Sequence, residues 1–137
     1  MKYEFIPHIA DIRMRIEGQE LDELFQAGLK GMTHLLKEDF CRHVKGMPVS
    51  LPVHVHAVDV TCLLIDFLSM ILSMTYTEKL MFCELDIQKV TENEIKCNII
   101  GFPMVSLDEE IKAVTYHEAD VNRMANGNWT SYVVFDI

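Results

Sequence analysis

The chain has 137 residues, half of them hydrophobic, which suits one globular domain able to bury a core without a metal or disulfide staple. Twelve Lys and Arg against 21 Asp and Glu leave a formal charge of −9. That balance argues against direct high-affinity nucleic-acid binding, because phosphate-backbone affinity comes mainly from counterions released by basic side chains.

In chain order, residues 3–6 form a short β-like run. From Asp11 the pattern alternates: Ile12, Met14 and Ile16 share one face, Asp11, Arg13, Arg15 and Glu17 the other, and Gly18 closes the strand. An amphipathic helix is expected over residues 20–37, with Leu21, Leu24, Phe25, Leu29, Met32, Leu35 and Leu36 at helical spacing. Gly28 and Gly31 each weaken it, which implies close packing against a neighbour. Residues 38–48 are polar, lack a period and read as a connecting loop. Val49, Leu51, Val53, Val55 and Ala57 alternate as a second strand, which Pro52 pushes to a sheet edge. Asp59 is a good N-cap for a helix over residues 60–77, whose apolar arc is wide enough for a central position on a sheet. Three β-rich stretches follow, at residues 80–90, 94–101 and 111–121. The turn Asn126-Gly127-Asn128 then leads into a final strand over residues 129–137. These elements predict an α+β fold, a single domain over residues 1–137, with a largely antiparallel β-sheet covered by two helices.

The most apolar stretch, residues 60–76, is short for a membrane span and contains Asp66, so it reads as a core helix. The first residues lack the apolar core of a secretory signal, and a cytoplasmic location is expected. Cys41, Cys62, Cys83 and Cys97 include no CxxC pair of the kind zinc ribbons require, and are expected to act as small buried hydrophobes.

Phosphate-binding glycine loops, HExxH and GxSxG are absent, so the candidate chemistry lies with carboxylates and histidines. Asp136 is penultimate, and its side chain and the main-chain carboxylate of Ile137 are held within a few ångströms by the chain itself. A third acidic group would complete an oxygen-rich pocket for a hard divalent cation, and Asp11, opening a strand, is the best third member. His54 and His56 sit two apart on a strand and share a face, an arrangement that suits either a shared metal or a plain polar surface. His8 and His117 are each placed to orient a carboxylate or to serve as structural histidines. Lys112 stands in a β-like run, on the face opposite Ile111 and Ala113.

The segment Tyr3-Glu4-Phe5-Ile6-Pro7-His8-Ile9-Ala10-Asp11-Ile12 resembles the opening of the archeases, and Leu21-Asp22-Glu23-Leu24-Phe25 the start of their first helix. The more specific likeness is C-terminal: Ile111-Lys112-Ala113-Val114-Thr115-Tyr116-His117, then Asn126-Gly127-Asn128-Trp129, then Val133-Val134-Phe135-Asp136-Ile137. Archeases are small α+β accessory proteins of the RtcB-type RNA ligase of tRNA splicing and RNA repair. They promote its guanylylation and repeated turnover without ligating RNA themselves. The resemblance therefore implies a protein cofactor of an RNA ligase rather than an enzyme, with a divalent metal, Ca²⁺ in the first place and Mg²⁺ or Mn²⁺ next. It assigns that metal to Asp11, Asp136 and the terminal carboxylate of Ile137, and function to Lys112, with His117 in the same motif and His8 beside Asp11.

The chain departs from the family pattern in two places. Pro7-His8-Ile9-Ala10-Asp11 stands where Asp-His-Thr-Ala-Asp is usual, which removes one carboxylate and one hydroxyl. Arg13 stands where glycine is common and adds a positive charge near Asp11. Fewer anionic ligands imply weaker cation binding. A diverged, metal-free adaptor or chaperone-like interaction module is the alternative these changes keep open, and a metal-dependent hydrolase is a further one.

Overall fold

The computed structural model describes residues 1–5 and 10–137. Its elements run β1 (Asp11–Gly18), α1 (Leu21–Leu36), a 3-10 turn (Phe40–Arg42), β2 (Val49–His56), α2 (Val60–Glu78), β3 (Leu80–Val90), β4 (Glu94–Pro103), β5 (Ala113–Thr115), β6 (Asn122–Arg123) and β7 (Trp129–Asp136). All strand pairings are antiparallel. The α+β class, the two helices and the antiparallel strands are those the sequence predicts.

The strands form two sheets. In the first, β7 is central, with β1 on one side and β5 and β6 on the other; in the second, β4 is central between β2 and β3. Both helices lie between the sheets, since α1 meets β1, β7 and β3 while α2 meets β5, β2, β3 and β4. The reason is legible in α2. Leu63, Leu64, Ile65, Phe67, Leu68, Ile71 and Leu72 are all buried, an arc of more than half the helix circumference, too wide for one sheet to cover. The helix is long and apolar enough to cross a membrane, yet here that surface is spent on the core. Asp59 caps it as expected, its Oδ1 accepting the Cys62 N–H at 2.8 Å. Phe25 of α1 meets Phe67 of α2 edge-on, with ring centroids 5.3 Å apart.

Strand alternation sorts the two faces of each sheet. Ile16, Val133, Phe135 and Val114 point inward from the first sheet, and Val53, Val55, Ile95, Cys97 and Ile99 from the second. Pro52 lies on edge strand β2, where a missing N–H costs no ladder bond. The glycines of α1 allow close approach: a Cβ on Gly28 would stand 3.3 Å from Leu68, and one on Gly31 would collide with Met14.

Three expectations need correction. Residues 3–5 join no strand and are exposed, and Ile6, the last residue of the expected run, lies outside the described residues. The β-rich stretch 111–121 contains only the three residues of β5, after which the chain turns away through Tyr116–Ala119, with Glu118 in the left-handed region at φ 58°. The cysteines are not four buried hydrophobes: Cys41 and Cys83 form a disulfide, Cys97 is buried and free, and Cys62 is half-buried and free. The 3-10 turn inside the expected loop carries Cys41 to the inner end of β3, a tertiary contact that cysteine spacing does not encode.

Candidate functional site

The first sheet brings the C-terminal motif to the start of β1. Asp136 of β7 is the direct register partner of Asp11 on one side and of Ala113 on the other. Directly opposed residues in an antiparallel pair share a face, with Cβ atoms roughly 4.5–5.5 Å apart. The two carboxylates therefore stand side by side on the exposed outer face, the face the helices leave open. Ile137 is anchored beside them. Its N–H donates to the Ala10 carbonyl at 3.0 Å, and its side chain packs against the core. Among the described residues, no side-chain hydrogen bond or ion pair occupies Asp11 or Asp136.

Next along the same face, Asp11, Arg13, Val134, His117 and Glu118 line a shallow concavity of about 210 Å³. The Arg13 charge is largely spoken for. Its guanidinium donates to both Glu118 oxygens, at 3.0 and 3.3 Å, and lies over the Tyr132 ring at 5.0 Å from the centroid. The Glu118 hydrogen bond and charge raise the Arg13 pKa further. Glu118 was not a candidate from the sequence. Its only signal is an acidic residue directly after His117, and the pairing with Arg13 spans 105 positions.

The segment bearing His117 and Glu118 is pinned to α2. The Tyr116 hydroxyl donates to Asp66 Oδ1, and the Val121 N–H donates to Thr61 Oγ1 at 3.0 Å. Asp66 thus gains a partner in the middle of the apolar helix, and its carboxylate pushes the Tyr116 pKa up to about 12. Upstream, Tyr76 of α2 holds the approach to β5: its hydroxyl donates to the Ile111 carbonyl at 2.6 Å and accepts the Ile111 N–H at 2.9 Å. Desolvation raises the Tyr76 pKa.

The other candidates fall as follows. His117 joins Asp11 at the concavity. The Lys112 main chain donates to the Asp136 carbonyl at 2.7 Å, but its exposed side chain lines a different concavity with Ser69, Ser73 and Tyr76 of α2. His8 lies outside the described residues. Among the described residues, no third His, Cys, Asp or Glu gathers with Asp11 and Asp136 into a three-ligand group, and the sequence gives the third place to the terminal carboxylate of Ile137. Hard oxygen donors on a rigid edge suit Ca²⁺ or Mg²⁺ better than a soft ion.

A model of the Archease protein family matches residues 3–137. The chain belongs to that family. Protein archease of Methanosarcina acetivorans is 30% identical over 144 residues, covering 99% of this chain and 96% of the relative. A protein archease-like of Drosophila melanogaster is 28% identical, covering 100% and 91%. Among solved structures, an archease of Thermotoga maritima, described as a possible chaperone, superposes with a TM-score of 0.72 at 19% identity, covering 100% of this chain and 98% of that one. A Methanobacterium thermoautotrophicum protein solved in solution also gives 0.72, at 21% identity and 98% and 97% coverage. These two likenesses establish the archease fold.

Proposed function

We propose that this archease activates an RtcB-type RNA ligase, promoting its guanylylation and repeated turnover in tRNA splicing or RNA repair, and does so in the cytoplasm as a protein cofactor without catalysis of its own. The observation that carries the reading is the pairing of Asp11 with Asp136 at the open end of the first sheet. With the terminal carboxylate of Ile137, that pair supplies three oxygen ligand groups for one divalent cation, Ca²⁺ foremost and Mg²⁺ or Mn²⁺ next. Proximity to a nucleotide would let such an ion neutralise phosphate charge during guanylyl transfer. A ligase that binds RNA and GTP presents a basic cleft, and a chain of charge −9 is suited to electrostatic steering onto its rim. Lys112, on a neighbouring surface, is free to meet a phosphate or an acidic ligase residue.

The test is transfer of labelled guanylate from GTP to a purified cognate ligase, with and without this protein. Wild-type protein should accelerate transfer, and Asp11→Ala and Asp136→Ala should lose most of that effect while melting normally. Equal stimulation by both variants would remove the carboxylate pair from the mechanism. Stimulation that survives removal of all divalent ions from this protein before mixing would favour the metal-free adaptor reading. The description of the Thermotoga relative as a possible chaperone supports that second reading.

A further inference from the structure

The outer face of the second sheet carries another cluster, unrelated to the carboxylate pair. His54 and His56 are successive outward residues of β2, and Glu94 opens β4 directly opposite His56. His54 Nε2 lies 2.6 Å from Glu94 Oε2, and His56 Nε2 lies 3.3 Å from the same oxygen. The three donor atoms all fall within 4.8 Å of one another, and this is the one such group of three among the described residues. The imidazoles lean together, with ring centroids 4.4 Å apart. Lys89 of β3 bonds the other Glu94 oxygen, Oε1, at 2.7 Å, which fixes the carboxylate and turns Oε2 toward the histidines.

We propose that His54, His56 and Glu94 form a site for a divalent transition ion of the Zn²⁺ class. A tetrahedral Zn²⁺ with bonds of ~2.0–2.1 Å places its donor atoms about 3.3 Å apart. The His56–Glu94 pair already has that spacing, while the 2.6 Å His54–Glu94 hydrogen bond would open by a small side-chain movement to admit the ion. Two neutral imidazoles and one carboxylate match the borderline preference of Zn²⁺ and disfavour Ca²⁺, which takes oxygen donors. Three protein ligands leave a fourth position for water or for a donor from a bound partner. The Lys89 contact is the outer-shell support that metal-bound carboxylates commonly receive. Lys96, register partner of His54, adds a second positive charge beside that of Lys89 on this face, and the two moderate the affinity. Because the ligands come from two adjacent strands, the bound ion would clip edge strand β2 to central strand β4.

Calorimetric titration of the full chain with Zn²⁺ tests the site. Wild-type protein should take up one ion here and melt at a higher temperature when it is present. His54→Ala and Glu94→Gln should weaken uptake roughly tenfold or more, whereas Asp11→Asn with Asp136→Asn should leave it unchanged. Imidazole resonances of wild-type protein give a reading that needs no variant: those of His54 and His56 should shift with Zn²⁺ while His34 and His43 stay in place. Failure of the wild type to take up Zn²⁺, uptake unaltered in His54→Ala, or uptake lost only with the Asp11 and Asp136 changes would each overturn the proposal. None of these outcomes bears on ligase stimulation, so the two readings stand or fall separately.

Discussion

The outer faces of the two sheets are built from the same alternation and end in opposite electrostatic states. On the first, Asp11 and Asp136 face each other across a ladder without basic partners among the described residues. On the second, Glu94 is held by Lys89 and His54, and those contacts draw its pKa down to about 2. The contrast separates two ways of presenting a carboxylate. A pair of like charges kept adjacent by backbone register calls for a cation from outside, and its all-oxygen character points to a hard one. A carboxylate already surrounded by imidazoles and a lysine needs none to be satisfied, and would bind only an ion able to displace protons from nitrogen.

The largest effect expected is a crossed loss of metal affinity. Calcium titrations of Asp11→Asn with Asp136→Asn should show no remaining site at the first sheet, while His54→Ala binds Ca²⁺ as the wild type does. If both sets of variants lose Ca²⁺ together, the division of the two faces by ligand chemistry is broken.

A second contrast concerns how each face is tethered. The second sheet is tied covalently through Cys41 and Cys83, 42 positions apart in sequence. In the chain-entropy account a loop of that length contributes about 4 kcal/mol, so reduction or Cys41→Ser should lower the unfolding free energy by an amount of that order. Cys41 is exposed, which leaves the bond open to cytoplasmic thiols if that is where the protein works. The first sheet relies on hydrogen bonds instead. Tyr76→Phe leaves the Ile111 N–H and carbonyl without their partner and should cost ~1–3 kcal/mol in denaturant unfolding. That variant should weaken ligase stimulation more than any equally destabilising change in the second sheet.

A smaller effect tests the local field at Asp11. Arg13→Gln removes a positive charge and leaves Glu118 unpaired on the same concavity. Divalent affinity at the first sheet should therefore rise, roughly two- to fivefold, as for a single exposed charge. Glu118→Gln should lower it by a similar factor. The smallest effect is on pH dependence. The Tyr116 phenol loses its proton only near pH 12, against an ordinary value of 10. The proton is held more tightly in the folded state, so this contact contributes stability that is fully present below pH 10 and lost as the pH rises through 12. Spectrophotometric titration of Tyr116→Phe should lack one phenol from the latest-titrating group.

Much of this was legible in the sequence because it is periodic or local. The bounds of β1, α1, α2 and β3 follow from apolar spacing, the Asp59 cap from its position before an apolar run, and the edge location of β2 from Pro52. Asp11 is a candidate partner for Asp136 from its place at the opening of a strand, and the register sets the two opposite each other. What escaped was long-range. No local pattern shows that the sheet divides in two, because that depends on how many sides of α2 must be covered. The Arg13–Glu118, Tyr116–Asp66 and Cys41–Cys83 pairs join positions 105, 50 and 42 apart, and only the folded chain brings them together. Lys112 is bonded through its main chain to Asp136, but its side chain lines another surface, a placement that its sequence motif does not encode.

If the end of the first sheet acts through its carboxylates, an extension of the chain past Ile137 probes this directly. Such an extension leaves Asp11, Asp136 and the core in place, yet converts the terminal carboxylate into a peptide bond. Guanylylation of the cognate ligase should be stimulated by the unextended protein and fall to the unassisted rate with the extended one. Equal stimulation by the two would contradict the role assigned to Ile137 and, with it, the three-carboxylate site.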